Sequence, residues 1–145
     1  MTEITFHFNV PDRAGYACRL LRKATRAGAQ VVVTAPAAEL AGLDRLLWTF
    51  DPTEFLPHVL QRRGAAVPPN LRTTPIWLCE EPADAMHHQV LVNLGREVPQ
   101  GFESFERVIE IVSADADDRQ AARARWKHYA ARGYDIQKHE VGEGA

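Results

Sequence analysis

Arg119, Arg123 and Lys127 recur every fourth residue within ADADDRQAARARWKHYAARG. Helical geometry gathers them into one stripe. Trp126, three residues past Arg123, borders that stripe, and alanines at 121, 122 and 124 keep its surroundings low. No acid interrupts the run from Arg119 to Arg132, which also contains Arg125 and Arg132. A cationic stripe beside a large aromatic suits a ligand with both negative charge and an apolar end. Arginine adds geometry, because its planar fork can hold a carboxylate through two parallel hydrogen bonds. The plain alternative is a solvated basic face with Trp126 turned into the core.

A second group lies in LLWTFDPTEFLPH, residues 46 to 58. Trp48, Phe50, Phe55 and Leu56 crowd a stretch whose backbone is fixed by Pro52 and Pro57. So many large apolar groups must be buried in their own core or against a partner. Trp48 and Phe55 are expected to lie close together and partly exposed, as an interface patch.

Other chemistries find little material. The loop after the first strand, NVPDRAGYA, holds the single glycine Gly15, where G-x-G-x-x-G would bring backbone to a pyrophosphate. The chain contains no G-x-x-x-x-G-K-[ST] and no G-x-S-x-G. His87 and His88 are adjacent and point apart, while His7, His58, His128 and His139 are scattered. Cys18 falls on the apolar face of a helix and Cys79 ends an apolar strand, so both read as buried thiols. No catalytic residue, metal ligand or cofactor site is expected.

The elements that must position these groups follow from periodicity and punctuation. Ile4 to Phe8 reads as a strand, and residues 12 to 27 as a helix capped by Asp12 and closed by Gly28. Val31 to Val33 is a β-branched run of the kind buried on both faces of a parallel sheet. A second helix fits Ala37 to Trp48, with Leu40, Leu43, Leu46 and Leu47 as its apolar positions. Residues 61 to 75 read as a loop. Ile76 to Cys79, Val90 to Leu94 and Val108 to Val112 read as strands, with one short helical turn at Phe102 to Phe105. Asp115 to Arg132 is the longest helix, ended by Gly133, and Tyr134 to Lys138 a last edge strand. Strands alternating with helices predict a three-layer α/β Rossmann-like domain, a mostly parallel central sheet with helices on both faces. Residues 1 to 140 would form this single domain, and residues 141 to 145 a frayed tail.

The 145 residues, 46% hydrophobic and 25% charged, are ordinary for one globular domain. With 17 basic and 19 acidic residues the formal charge is −2, unlike a protein that grips nucleic acid by bulk positive charge. No basic stretch leads into a long apolar run at the N-terminus, and no apolar run approaches the roughly 18 residues of a membrane span. The expected location is the cytoplasm, without membrane contact. Two cysteines without a CxxC pattern fit a reducing compartment.

The blocks ITFHF, ACRLLRKATRAGAQVVV, LDRLLWTFDPTEFLPH, VLVNLGREVP, FERVIEIV and ARARWKHYAARGYDIQKH together form a specific pattern. Through them the chain resembles, nearly end to end, the chi subunit family of the bacterial DNA polymerase III holoenzyme. The resemblance implies a non-catalytic adaptor of the replication machinery. It implies binding to the acidic, phenylalanine-ended C-terminal tail of single-stranded-DNA-binding protein. It also implies binding to the psi subunit of the clamp-loader assembly, or to a helicase of the XPD/DinG type, with DNA contacted only indirectly. Carried over residue by residue, the tail site falls on Val112, Arg119, Arg123, Trp126 and Lys127, and the psi or helicase surface on Trp48 and Phe55. Two other classes compete. One is a nucleotide-dependent or hydrolytic enzyme, which would hold its ligand at the carboxyl ends of the strands. The other is a direct nucleic-acid binder using the basic last helix.

Overall fold

The computed structural model describes residues 2–53, 55–61, 68–71 and 73–142. Seven strands form one sheet: β1 (Glu3–Val10), β2 (Val31–Thr34), β3 (His58–Gln61), β4 (Ile76–Cys79), β5 (Val90–Asn93), β6 (Arg107–Ser113) and β7 (Ile136–Glu140). Their order across the sheet is β3-β4-β2-β5-β6-β1-β7, and every pairing is parallel. The sheet is thus fully parallel rather than mostly so. β2 and β4 (VVVT and IWLC) are buried at every position, as strands covered on both faces must be.

Three helices cover the two faces: α1 (Arg13–Arg26), α2 (Ala37–Thr49) and α3 (Ala116–Ala131). One core layer joins Ala17, Cys18 and Leu21 of α1 and Leu40, Leu43 and Leu47 of α2 to Val31, Val33, Ile109 and Ile111. The other joins Ala122 and Tyr129 of α3 to Ile4, Phe6, Trp77, Leu91, Val108 and Val112. The three-layer architecture follows from this division.

Two sequence readings need correction. β3 lies where only a turn-rich segment and a loop are expected. Its four residues follow Pro57 and form a half-buried edge strand, too short and too mixed to show a period. The last strand begins at Ile136, not Tyr134. Tyr134 instead donates its N–H to the Tyr129 carbonyl at 3.2 Å and packs its ring on Phe102. β7 is an edge strand, as expected. Residues 62–67 of the expected loop and 143–145 of the expected tail lie outside the described residues.

Candidate functional site

α3 starts beside the end of β6. Asp115 caps it, accepting from the Asp117 N–H at 2.8 Å, and the buried Asp118 accepts from the Ser113 N–H at 2.8 Å. These contacts fix the rotation of the helix. The outer face then carries Arg119, Arg123 and Lys127, all exposed. A groove of about 630 Å³ opens between this face and the sheet edge formed by β1 and β7. Its floor is Phe6, Phe8, Val112, Ala122 and Trp126, and its rim is Arg119, Arg123, Lys127 and Lys138, with Asn9 and Glu140 at one end.

All five tail-site residues carried over from the resemblance line this one groove. Trp126 is neither free in solvent nor sunk in the core. It is half-buried, with its ring centroid 5.1 Å from that of Phe6. None of the four rim cations joins an ion pair among the described residues. The groove therefore offers an apolar floor and uncompensated positive charge to the same ligand. Sequence spacing could not supply Phe6, Phe8 and Lys138, which come from strands far away in the chain. The alternation in ITFHF does put Phe6 and Phe8 on one face, but only the strand order puts that face under α3.

Arg125, in the same acid-free run, takes another role. It is 1% exposed and points into the core. Its Nε donates to Glu110 at 3.0 Å and its Nη1 to the Arg96 carbonyl at 2.8 Å. Glu110 also accepts from the Tyr129 hydroxyl at 2.7 Å and from Asn93 Nδ2 at 2.9 Å. Burial pushes the Glu110 carboxyl up, while the Arg125 charge and the hydrogen bonds from Tyr129 and Asn93 pull it back. Burial and then the neighbouring carboxylate hold the Tyr129 phenol above its ordinary range, so it stays a donor. This network pins α3 to β5 and β6.

The second surface is also assembled. Trp48 is 61% exposed and Phe55 53%, with ring centroids 5.0 Å apart. Leu47 and Leu56 beside them are buried and anchor the helix end and the loop. His58 sits beneath the pair. It donates Nδ1–H to the Leu56 carbonyl at 2.7 Å, places Nε2 3.1 Å from Asp44, and packs its ring edge-on to Trp48 at 5.2 Å. No spacing argument assigned His58 this place.

The nucleotide alternative meets two obstacles. The N-terminus of α1, where a phosphate would sit, is occupied by the Asp12 side chain, which accepts from the Gly15 N–H at 3.2 Å. A Cβ at Gly15 would collide with that carboxylate, so the glycine makes room for a cap. At the carboxyl ends of β2, β4 and β5 a cleft is lined by Glu39, Glu80, Glu81 and Glu97 against Arg96, the wrong sign for a phosphate. Both thiols are buried. Burial, then the nearby Asp12, pushes the Cys18 thiol up to about 11; burial, then Asp84, pushes Cys79 up to about 12. No helix of the described residues is long and apolar enough to cross a membrane.

Comparison with known proteins finds relatives over most of the chain. The sequence model of the family described as DNA polymerase III chi subunit, HolC, matches residues 1–137. DNA polymerase III subunit chi of Pseudomonas aeruginosa is 35% identical over 147 aligned positions, covering 97% of this chain and 98% of the relative. DNA polymerase III subunit chi of Haemophilus influenzae is 31% identical over 130 positions, covering 87% of this chain and 85% of the relative. The family match runs from β1 through α3 to the first residues of β7, and the chain belongs to the DNA polymerase III chi subunit family.

Proposed function

We propose that this chi-family subunit is a non-catalytic adaptor at the replisome. It holds the acidic, phenylalanine-ended C-terminal tail of single-stranded-DNA-binding protein in the α3 groove. It presents Trp48 and Phe55 to the psi subunit or to an XPD/DinG-type helicase, and it meets DNA only through these partners. The observation that carries the reading is the conjunction in one groove of an apolar floor with four cations that form no ion pair with any carboxylate of the described residues. A terminal phenylalanine needs both. Its ring fits between Val112, Phe6 and Trp126. Its α-carboxylate needs a planar double donor, and Arg123, one turn before Lys127, is central on the rim. Upstream aspartates need only diffuse positive charge. On the opposite layer, the exposed Trp48–Phe55 pair is the kind of aromatic anchor that dominates protein interfaces.

The test is a calorimetric titration of the protein with a synthetic acidic peptide ending in phenylalanine. Binding should saturate at one site, and most of it should vanish when the final phenylalanine is deleted with every aspartate kept. Equal binding of the truncated peptide would reduce the groove to a solvated basic face. Single-stranded DNA alone should bind weakly, and tight binding of it would favour a direct nucleic-acid role for α3.

A further inference from the structure

We infer that the α3 groove accepts an acidic peptide in one direction only, with the peptide's upstream aspartates leading away from Glu140 and toward Lys127 and Lys138. This rests on the reading of the groove as an acidic-peptide site, and adds an orientation that the reading does not contain.

The charge along the groove is uneven. α3 runs from the carboxyl ends of the strands toward their amino ends, since it follows β6 and returns the chain to the start of β7. Arg119 therefore lies near the carboxyl ends. Lys127 is eight residues further, about 12 Å along the helix axis. On the opposite bank, Lys138 pairs with Phe6 and Glu140 with Phe8. Lys138 and Glu140 are two residues apart on β7, so both face α3, about 6.6 Å from each other along the strand. One end of the groove thus combines Arg119 with Glu140 and is close to neutral. The other combines Lys127 with Lys138 and carries two uncompensated positive charges. Arg123 lies between them.

Glu140 is fixed at its end of the groove. Asn9, in the left-handed region at φ 59°, donates Nδ2 to Glu140 at 3.4 Å. Backbone bonds from Val141 to Phe8 and from Gly142 to Asn9 continue the pairing past it. The carboxylate is exposed and forms no ion pair with any groove cation, so its field stays in the groove. A peptide held by its ring and α-carboxylate at the centre can leave by either end. Leaving past Arg119 and Glu140, whose charges offset, gains an aspartate almost nothing. Leaving past Lys127 and Lys138 gains attraction, about two-fold in affinity per contact near 8 Å in water. That gain recurs for every aspartate, so a short acidic run selects one exit.

The experiment uses isotope-labelled full-length protein and a phenylalanine-ended acidic peptide with a nitroxide at its amino terminus. Paramagnetic broadening should be strongest at Lys127 and Lys138 and weak at Asn9 and Glu140. Glu140→Lys should spread the broadening to both ends and tighten binding about three-fold at low salt, with the gain lost at high salt. Strongest broadening at Asn9 and Glu140 in the unsubstituted protein, or an unchanged pattern in Glu140→Lys, overturns the orientation while leaving the groove as the site. A peptide that binds without perturbing groove amides, or does not bind, overturns both.

Discussion

Arg123 and Arg125 stand two residues apart on α3 and live in different worlds. Arg123 is exposed on the rim of an open groove and forms no ion pair with a carboxylate of the described residues. Arg125 is buried and held by Glu110 and the Arg96 carbonyl. The same guanidinium does structural work on the inner face and offers itself to a ligand on the outer one. Residue type alone therefore says nothing about role. What decides is whether the charge already has a partner inside the chain.

The contrast breaks most violently from the inside. Arg125→Leu should strand Glu110 in the core and cost about 3–5 kcal/mol of stability, read by denaturant unfolding. Replacing both Glu110 and Arg125 with leucine should recover a large part of that loss, because no uncompensated charge remains. Arg123→Ala should do the reverse. Stability should stay within about 0.5 kcal/mol of the parent, while affinity for the phenylalanine-ended peptide falls by about 2 kcal/mol, roughly 30-fold. An Arg125→Leu protein as stable as the parent, or an Arg123→Ala protein that keeps its peptide affinity, would erase the distinction.

The other surface repeats the lesson with apolar groups. Leu47 is 2% exposed and Trp48 is 61% exposed, on consecutive positions of α2. Leu47→Ala should destabilise by about 2–5 kcal/mol through the cavity it leaves. Trp48→Ala should leave stability within about 0.5 kcal/mol, yet weaken binding of the psi subunit by about 2 kcal/mol or more in a pull-down or titration. Should Trp48→Ala unfold the protein, the patch would belong to the core.

The fold was legible because its signals are local. Val31 to Val33 and Ile76 to Cys79 announce buried parallel strands, and the leucines of α2 and the alanines and arginines of α3 carry helical spacing. β3 was not legible, because HVLQ is short and its strand state depends on pairing with β4. The site divides in the same way. Arg119, Arg123, Trp126 and Lys127 share one helix, so spacing groups them. Phe6, Phe8 and Lys138 join them only through the order β6-β1-β7, which no local pattern encodes. The buried role of Arg125 was not legible for a related reason. Its counter-charge, Glu110, sits in the middle of an apolar strand, and the sequence signal was that one acid within VIEIV, opposite a helix with a buried face.

The finest division lies within the stripe itself, between Arg123 and Arg119. Both are exposed, and both line the groove. Arg119 occupies the first turns of α3, behind Asp115, Asp117 and Asp118, where the positive end of the helix dipole disfavours a cation. It also shares its end of the groove with Glu140. Its share of peptide binding should therefore be a diffuse Coulomb attraction rather than a clamp. Arg119→Ala should cost about 0.5–1 kcal/mol of peptide affinity at low salt. The loss should fade as salt rises, because the screening length falls from about 10 Å at 0.1 M to about 3 Å at 1 M. Stability should not fall, since a cation leaves the wrong end of a helix. Arg123→Ala should keep most of its deficit at high salt, because a desolvated carboxylate left without its donors is poorly screened. Titrations of the two variants across a salt series separate the roles. A deficit in Arg119→Ala that persists at high salt would make it a second clamp, and the ligand's carboxylate would then be shared between two arginines instead of held by one.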